Sequence, residues 1–302
     1  MERNELFGAT ERALGAAEAV LRQARAHVLE LVAPGGTLDA ALIDREQTAV
    51  HGFAWMATYV EALRQIRGWA SRLDASGELG EAERLILRVA FGEYLAQLAG
   101  GIAMSQAEIV RPYDLGLSEA EIAPLREGDA ALLVAGLGEA RSNLAALIAE
   151  GSPASFGRIV MDDPTLEMIR DQVRRFAERA VVPSAHEWHR ADKLIPIEII
   201  DELSALGVFG MTLPEEHGGL GLGKIAMCVV SEELSRAYIG VGSLGTRSEI
   251  AGELIRSGGT EAQKARWLPD IASGAILPTA VFTEPNTGSD LANVQTRAVR
   301  DG

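Results

Sequence analysis

The sequence has very little cysteine, with Cys228 alone in 302 residues. One thiol cannot form an internal disulfide and cannot build a cysteine-based metal cluster, so a disulfide scaffold and a cysteine zinc centre are both excluded. The scarcity fits a reducing compartment. We predict that Cys228 is a small, buried apolar side chain.

Basic residues are also scarce. The chain has 28 lysines and arginines but 43 aspartates and glutamates, which gives a formal charge of −15. Such a surface repels phosphate backbones and offers no polybasic patch to an anionic membrane. The composition therefore argues against a nucleic-acid partner.

Long apolar runs are missing too, since none approaches the roughly 18 residues that a membrane-spanning helix needs. The N-terminal "MERNELFGATERALG" lacks the apolar core of a secretory signal, and its acids argue against a transit peptide. We expect a soluble, cytoplasmic protein without membrane insertion.

What the chain does contain is helical periodicity, with apolar residues at helical spacing almost everywhere before residue 270. Residues 1–150 carry four apolar stripes and predict an antiparallel helical bundle. A "PGG" turn at 34–36 follows the first stripe, and Ser118 with Glu121 fits a capping box. The stripes cover 6–32, 53–66, 85–98 and 132–148.

The bundle gives no mechanism. His27 and His51 lie in helical patterns without a carboxylate or second histidine at ligand spacing, which favours surface or core-edge histidines. Four aromatic residues in the bundle are predicted to pack between helices, which is a commoner use of such residues than lining a ligand pocket. That set comprises Phe53, Trp55, Tyr59 and Trp69.

Glycine, serine, proline and aspartate accumulate in "EGSPASFGRIVMDDP" and predict a linker over 151–163. A second helical domain then covers 164–274. Asp163 is the predicted N-cap of its first helix, which we expect to end at Pro183. Further helices are predicted over 197–206, 224–237 and 246–257. Pro196 opens the first of them and Gly207 ends it, and Thr260 with Gln263 forms another capping box.

After residue 274 the pattern becomes extended. "AILPTAVFTE" and "ANVQTRAVR" are rich in β-branched residues and are separated by the turn-forming "TEPNTGSD" at 283–290. The predicted fold class is therefore mainly α, with the beginning of a β domain over 275–302.

Three local motifs do not hold up in context. "GVGSLG" (240–245) satisfies the dinucleotide fingerprint but follows a helical pattern instead of a strand. "HEWH" (186–189) is one residue short of helical metal-ligand spacing and predicts a solvated helix end. "LPEEHGGLGLG" (213–223) carries acids that would repel a phosphate, so we interpret it as a tight loop.

In their order, however, these pieces resemble a known family. Residues from about 164 to 302 resemble the first half of the acyl-CoA dehydrogenases, flavoproteins that desaturate acyl-CoA thioesters. The resemblance rests on "FAERAVVP", "IPIEIIDELSALGVFGMTLPEEHGGLGLG", "EELSRAY", "GGTEAQKARWLPDIASGAI" and, most specifically, "AVFTEPNTGSD". It implies a helical domain followed by a β domain whose strand, ending in T-E-P-x-x-G-S-D, contacts the flavin.

The resemblance also implies site residues. The FAD contacts would be Ala280, Val281, Phe282, Thr283, Gly288 and Ser289. In the family the threonine hydroxyl, here Thr283, hydrogen-bonds the isoalloxazine edge, and the serine, here Ser289, lies by the acyl-CoA and flavin phosphates. Many relatives begin this stretch with an aromatic residue, so Ala280 removes any stacking there.

The reaction implied is removal of an α-proton by a glutamate base and of a β-hydride by the flavin, with electrons passed to an electron-transfer flavoprotein. The family's base lies in a C-terminal helical domain outside these 302 residues. No catalytic residue is therefore assigned, and the role of Glu284 is expected to be structural or cofactor-adjacent.

The helical extension and residues 243–291 resemble a branch that converts methylsuccinyl-CoA to mesaconyl-CoA in the ethylmalonyl-CoA pathway. Arg247 is available for the free carboxylate of such a substrate. Two alternatives remain open: a non-catalytic helical assembly module within a homo-oligomer, and a related flavin monooxygenase or nitroalkane oxidase.

Overall fold

The computed structural model describes residues 1–151, 161 and 163–301. Two compact units divide the chain, Met1–Val160 and Met161–Gly302. Most of the predicted linker at 151–163 lies outside the described residues. Each unit has hydrophobic core residues of its own.

The first unit consists of helices and one short hairpin. Its elements are α1 (Arg3–Val32), α2 (Ala40–Arg45), α3 (Gln47–Ala75), α4 (Glu81–Gly100), β1 (Ile102–Ala103), β2 (Ile109–Val110), α5 (Glu119–Ile122), α6 (Gly128–Ala135) and α7 (Leu137–Glu150). The predicted helical stripes are confirmed, as is the capping box of Ser118 and Glu121 at the start of α5. The fourth stripe is two helices, because the chain bends by 47° between α6 and α7.

Close packing in the first unit depends on small residues. Along α1 the buried positions include Ala9, Ala13, Ala17 and Ala24, which allow neighbouring helices to approach its backbone. On α3, a Cβ added at Gly52 would lie 2.3 Å from a methyl carbon of Val110 in β2. The hairpin, which the sequence pattern did not predict, therefore seats directly against the α3 backbone.

The second unit is also helical. Its elements are α8 (Pro164–Phe176), a π-helical turn (Ala177–Val181), α9 (Val182–Arg190), α10 (Ile197–Ala205), α11 (Lys224–Ala237), α12 (Ile239–Gly258) and α13 (Glu261–Ser273). The predicted cap at Asp163 is confirmed by its side-chain hydrogen bond to the Thr165 N–H, and Gly207 has the predicted left-handed φ of 74°. The mainly α fold is therefore confirmed.

The prediction that a helix ends at Pro183 is wrong. The π-helical turn Ala177–Val181 intervenes, and Pro183 then falls within the first turn of α9. Proline is tolerated there because an N–H in the first helical turn needs no intrahelical acceptor. The helical path therefore continues to Arg190.

The burial predicted for Cys228 is also wrong, because its side chain is exposed. The inward face of α11 carries Ala226, Met227, Val230 and Leu234, all buried. Cys228 points away from that face, since helical periodicity places the residue after Met227 on another side.

The glycines of "GVGSLG" have a packing role. They lie inside α12, so the motif does not follow a strand and the dinucleotide interpretation fails, as predicted. A Cβ added at Gly242 would lie 2.0 Å from the Ser235 Oγ of α11, and one added at Gly245 would lie 2.9 Å from Val208. These glycines bring α12 close to α11 and to the 3₁₀ turn Val208–Gly210 that follows α10.

A buried carboxylate links α8 to α11. The Glu233 side chain is only 6% exposed, and Arg174 of α8 donates to both of its oxygens at 3.0 and 2.5 Å. Burial alone would raise the pKa of Glu233, but hydrogen bonds from Arg174 and Arg236 outweigh it and hold this pKa below its ordinary value. The pair fixes the orientation of these two helices.

Among the described residues, 275–301 carry no strand, and the chain there includes a turn at 285–286 and a 3₁₀ turn at Leu291–Asn293. In this described stretch one β-bridge pairs Glu284 with Thr287, and the other backbone–backbone hydrogen bonds within it are those of the 3₁₀ turn at Leu291–Asn293. A strand requires a neighbouring strand for its N–H and C=O groups, and none is present in this part of the described chain. The β domain over 275–302 stays a prediction.

Candidate flavin and acyl-thioester site

The "TEPNTGSD" loop is organised by the carboxylate of Glu284. This group accepts hydrogen bonds from the backbone N–H of Gln295 at 2.9 Å and of Thr296 at 2.6 Å, and also from the Thr296 hydroxyl. The backbone of Glu284 pairs with Thr287, with N···O distances of 2.8 and 3.2 Å. Glu284 therefore closes the loop 284–296.

These hydrogen bonds lower the pKa of Glu284, first through the Thr296 hydroxyl and then through the Gln295 and Thr296 N–H groups. A carboxylate stabilised in this way is a poor proton acceptor at neutral pH. The structure thus gives Glu284 a structural role, as the sequence predicted, and argues against its use as a base.

The predicted flavin contacts lie before and within this loop. Residues 280–283 are extended and largely solvent-accessible; Val281 is 84% exposed. Among the described residues, no backbone group of 277–283 takes part in an intrachain hydrogen bond. The N–H and C=O groups of this stretch are therefore available to a ligand or to a neighbouring strand.

Gly288 and Ser289 lie on the same loop and are exposed. A Cβ added at Gly288 would meet no atom closer than the Thr283 methyl group at 4.0 Å, so the backbone here is open to close approach. The structure brings Thr283 and Gly288 together. No helix contributes a side chain to this set among the described residues.

FAD fits what these residues offer. Unused backbone donors and acceptors on 280–283, a free hydroxyl on Thr283 and an open glycine turn are the groups that an isoalloxazine edge and phosphates require. The residues remain predictions for the cofactor contacts, and Ser289 remains a prediction for the substrate contact.

An apolar groove of about 520 Å³ lies beside this stretch. The end of α12, the exposed side of α13 and the chain at 276–278 form its walls, lined by Leu254, Ile255, Trp267, Ile271, Ile276 and Pro278. The sequence analysis missed this groove, because three separate segments build it and no local pattern marks it.

The remaining candidates contribute no site. In "HEWH", Trp188 is buried while His186 and His189 are exposed near the end of α9, as predicted. The predicted aromatic packing is confirmed, since Phe53, Trp55, Tyr59 and Trp69 pack against the core of the first unit. The described residues contain no cluster of three or more metal-ligating side chains.

The two bundle histidines have carboxylate partners that lie far away in sequence. The His27 ring lies 2.8 Å from Glu121, and His51 Nδ1 lies 3.5 Å from Glu108. Hydrogen bonds from Ser118, and then from His27, lower the pKa of Glu121 to about 2. Local spacing could not reveal these pairs, because Glu121 is 94 residues from His27.

Comparison with known proteins identifies a family domain in the second unit. The acyl-CoA dehydrogenase N-terminal domain profile matches residues 163–275. A (2S)-methylsuccinyl-CoA dehydrogenase from Cereibacter sphaeroides is 55% identical over 99% of this chain and 54% of its own length. Residues 163–275 carry the N-terminal domain of the acyl-CoA dehydrogenase family.

Other relatives match about half of this chain. A mitochondrial isovaleryl-CoA dehydrogenase from Solanum tuberosum is 33% identical over 49% of this chain and 36% of its own length. Among solved structures, glutaryl-CoA dehydrogenase from Mycobacterium smegmatis is 35% identical over 46% of this chain and 36% of its own, with a TM-score of 0.43. The chain spans about half, or less, of the length of the curated relatives it matches.

In the part of the chain that the structure describes, no single helix is long and apolar enough to cross a membrane. By length and composition, α6 and α7 satisfy this criterion only when they are taken together across their bend.

Proposed function

We propose that this chain provides the N-terminal part of an FAD-dependent acyl-CoA dehydrogenase that oxidises (2S)-methylsuccinyl-CoA to mesaconyl-CoA. The observation that carries the proposal is the 55% identity to a methylsuccinyl-CoA dehydrogenase, because it extends over 99% of the chain and includes the helical first unit. The open stretch 280–283 and its loop support the assignment of a flavin contact.

Bound FAD would supply a hydride acceptor. Thr283 would donate a hydrogen bond from its hydroxyl group to the edge of the flavin ring, where negative charge arrives with the hydride. The turn at Gly288 and Ser289 would direct N–H and hydroxyl donors toward phosphate oxygens of the cofactor and the thioester. Glu284 would hold this loop in place through its three hydrogen bonds.

We propose that Glu284 is not the base that removes the α-proton. We assign the base to the part of the relatives' length that lies beyond this sequence, since Glu284 is fully engaged in the loop. Electrons would pass from the enzyme to an electron-transfer flavoprotein. We further propose that the enzyme is a cytoplasmic homo-oligomer.

The test is anaerobic spectroscopy of the protein expressed from its complete reading frame. We expect yellow protein whose flavin absorbance bleaches when methylsuccinyl-CoA is added. Thr283→Ala should slow this reduction about 10- to 100-fold, because it removes one hydrogen bond to a developing charge. Thr279→Ala, an exposed threonine outside the predicted contact stretch, serves as the matched control.

Three results would contradict the proposal. Colourless protein that takes up no FAD would favour the non-catalytic assembly module. Oxygen consumption with a nitroalkane, in place of bleaching by a thioester, would favour a flavin oxidase or monooxygenase. Equal effects of the two threonine substitutions would remove Thr283 from the site.

A further inference from the structure

His51 of α3 has a partner on each of its two ring nitrogens. The indole N–H of Trp55 donates to Nε2 at 3.0 Å, and a carboxylate oxygen of Glu108 lies 3.5 Å from Nδ1. An indole nitrogen can only donate, so Nε2 must be the acceptor and must carry no proton. The geometry therefore describes a neutral imidazole whose single proton is on Nδ1, on the side of Glu108.

The two partners of His51 belong to different parts of the first unit. Trp55 is one turn further along α3, and its ring makes an edge contact with Tyr59, with centroids 6.2 Å apart. Tyr59 in turn stacks on Tyr94 of α4, with centroids 4.5 Å apart. Glu108 instead directly precedes β2 of the hairpin. His51 thus connects the hairpin with the aromatic contacts between α3 and α4.

Protonation of His51 changes which partner it can hold. The added proton goes to Nε2, because Nδ1 already carries one, and the ring then donates at both nitrogens. Trp55, which is also a donor, loses its acceptor. Glu108 remains, and a hydrogen bond between an imidazolium and a carboxylate is stronger than one from a neutral ring. Histidine is the side chain that ordinarily gains or loses charge between pH 5 and 8.

The other charged groups around this end of α3 do not replace Glu108. Among the described residues, Glu108 is the one carboxylate within ion-pair distance of His51. The positions three and four residues from His51 on α3 are uncharged. The titratable or charged side chains on the neighbouring segments are His27 and Glu30 of α1, Asp44, Arg45 and Glu46 at α2, and Arg111, Tyr113 and Asp114 after β2. Of these, His27 is paired with Glu121, and Arg45 with Glu46.

We propose that His51 is a pH-sensitive switch that exchanges Trp55 for Glu108 on protonation, so that acid fastens the hairpin to α3 and releases the indole. His51 and Glu108 also line a groove of about 490 Å³ beside α2 and α3, so the exchange alters the wall of that groove. The inference is independent of the proposed function, because every residue in it belongs to the first unit.

The first measurement is nuclear magnetic resonance of the chain labelled with ¹⁵N-tryptophan, titrated from pH 8 to pH 5. The four tryptophans give four indole N–H resonances, and Trp55→Phe identifies the one that belongs to Trp55. That resonance should move upfield as the pH falls, because an N–H proton without an acceptor is less deshielded. In His51→Gln it should stay in place, since glutamine offers an acceptor that does not titrate.

The second measurement is amide exchange in the hairpin loop. The N–H groups of Met104 and Ser105 donate to the Glu108 carbonyl at 2.9 and 3.2 Å. Their protection factors, corrected for intrinsic exchange, should rise about three- to tenfold between pH 8 and pH 5.5. Glu108→Gln should abolish this rise, because it removes the anion that the imidazolium holds.

His27→Gln is the matched control, because His27 is the other histidine of the first unit and is likewise paired with a carboxylate. It should leave both changes intact. A Trp55 resonance that does not move, or that moves equally in His51→Gln, would overturn the switch. Hairpin protection that is the same at both pH values in the unmodified chain would overturn the fastening of the hairpin.

Discussion

A single carboxylate connects the two arms of the candidate flavin loop. Glu284 lies 11 and 12 residues before the two N–H groups that it binds, so it closes a loop whose other backbone hydrogen bonds, among the described residues, join residues only three apart. Without that closure, the backbone of Gly288 and Ser289 would sample many conformations, and ordering it would then cost part of the binding free energy of a cofactor.

Replacing Glu284 should therefore loosen the loop without unfolding the helices. In Glu284→Ala we expect the amide protection factors of Gln295 and Thr296 to fall about three- to tenfold, with Glu284→Gln intermediate. Hydrogen–deuterium exchange measures this, and Glu198→Gln, an exposed acid on α10, is the control. Unchanged protection in Glu284→Ala would refute the closing role.

The pH dependence follows from the same hydrogen bonds. The folded-state pKa of Glu284 is lowered, so its contribution to loop order is complete above the ordinary carboxyl pKa. That contribution should be lost as the pH falls through the lowered pKa. Protection factors of Gln295 and Thr296, corrected for intrinsic exchange, should therefore decrease at acid pH in the unmodified protein and not in Glu284→Ala.

Helix packing in the first unit depends on a glycine that faces a hairpin. A Cβ at Gly52 would overlap Val110 at 2.3 Å and press against Leu115 at 3.2 Å. Both neighbours are buried, so neither can move into solvent. Gly15 in α1 is the opposite case, because a Cβ there would meet nothing within 4 Å.

These two glycines give a matched pair of substitutions. Gly52→Ala should lower the free energy of unfolding by about 1–3 kcal/mol through overpacking. Gly15→Ala should raise it by about 0.5–1 kcal/mol, because alanine has the higher helix propensity. Urea denaturation followed by circular dichroism measures both free energies of unfolding. A Gly52→Ala variant as stable as Gly15→Ala would contradict the prediction, because it would show that the hairpin moves to accommodate the added methyl group.

The whole molecule is built on separate cores. The core of the first unit uses residues between Leu6 and Leu133, and the two core clusters of the second unit use residues between Val173 and Ala272. Among the described residues, no buried residue belongs to more than one of these clusters. Because a domain needs only its own core to fold, the first unit should be stable by itself.

Residues 1–151 expressed alone should unfold cooperatively on heating, as followed by the helical circular dichroism signal. Leu95→Ala should lower the midpoint, since it removes a fully buried side chain and costs about 2–5 kcal/mol. Leu38→Ala, at an exposed position, should leave the midpoint almost unchanged. A broad, gradual loss of signal in the unmodified fragment would contradict independent folding.

Features that depend on neighbours in the chain were determined by the sequence alone. Periodic apolar stripes predicted the helices, and the caps at Asp163, Gly207 and Thr260 formed where they were predicted, because each involves atoms only a few residues apart. The "TEPNTGSD" motif indicated the family and a structural Glu284 for the same reason: a short string of residues carries it.

Tertiary structure decided what depends on distant contacts. Only the fold showed that α12 needs its glycines to approach α11 and that His27 meets Glu121. It also showed that Arg247 has no acid partner among the described residues, whereas the three other cations of α11 and α12 each have one. The π-helical turn before Pro183 and the groove beside Leu254 likewise have no local pattern. Their physical cause is packing between segments far apart in sequence, which a local sequence pattern does not encode.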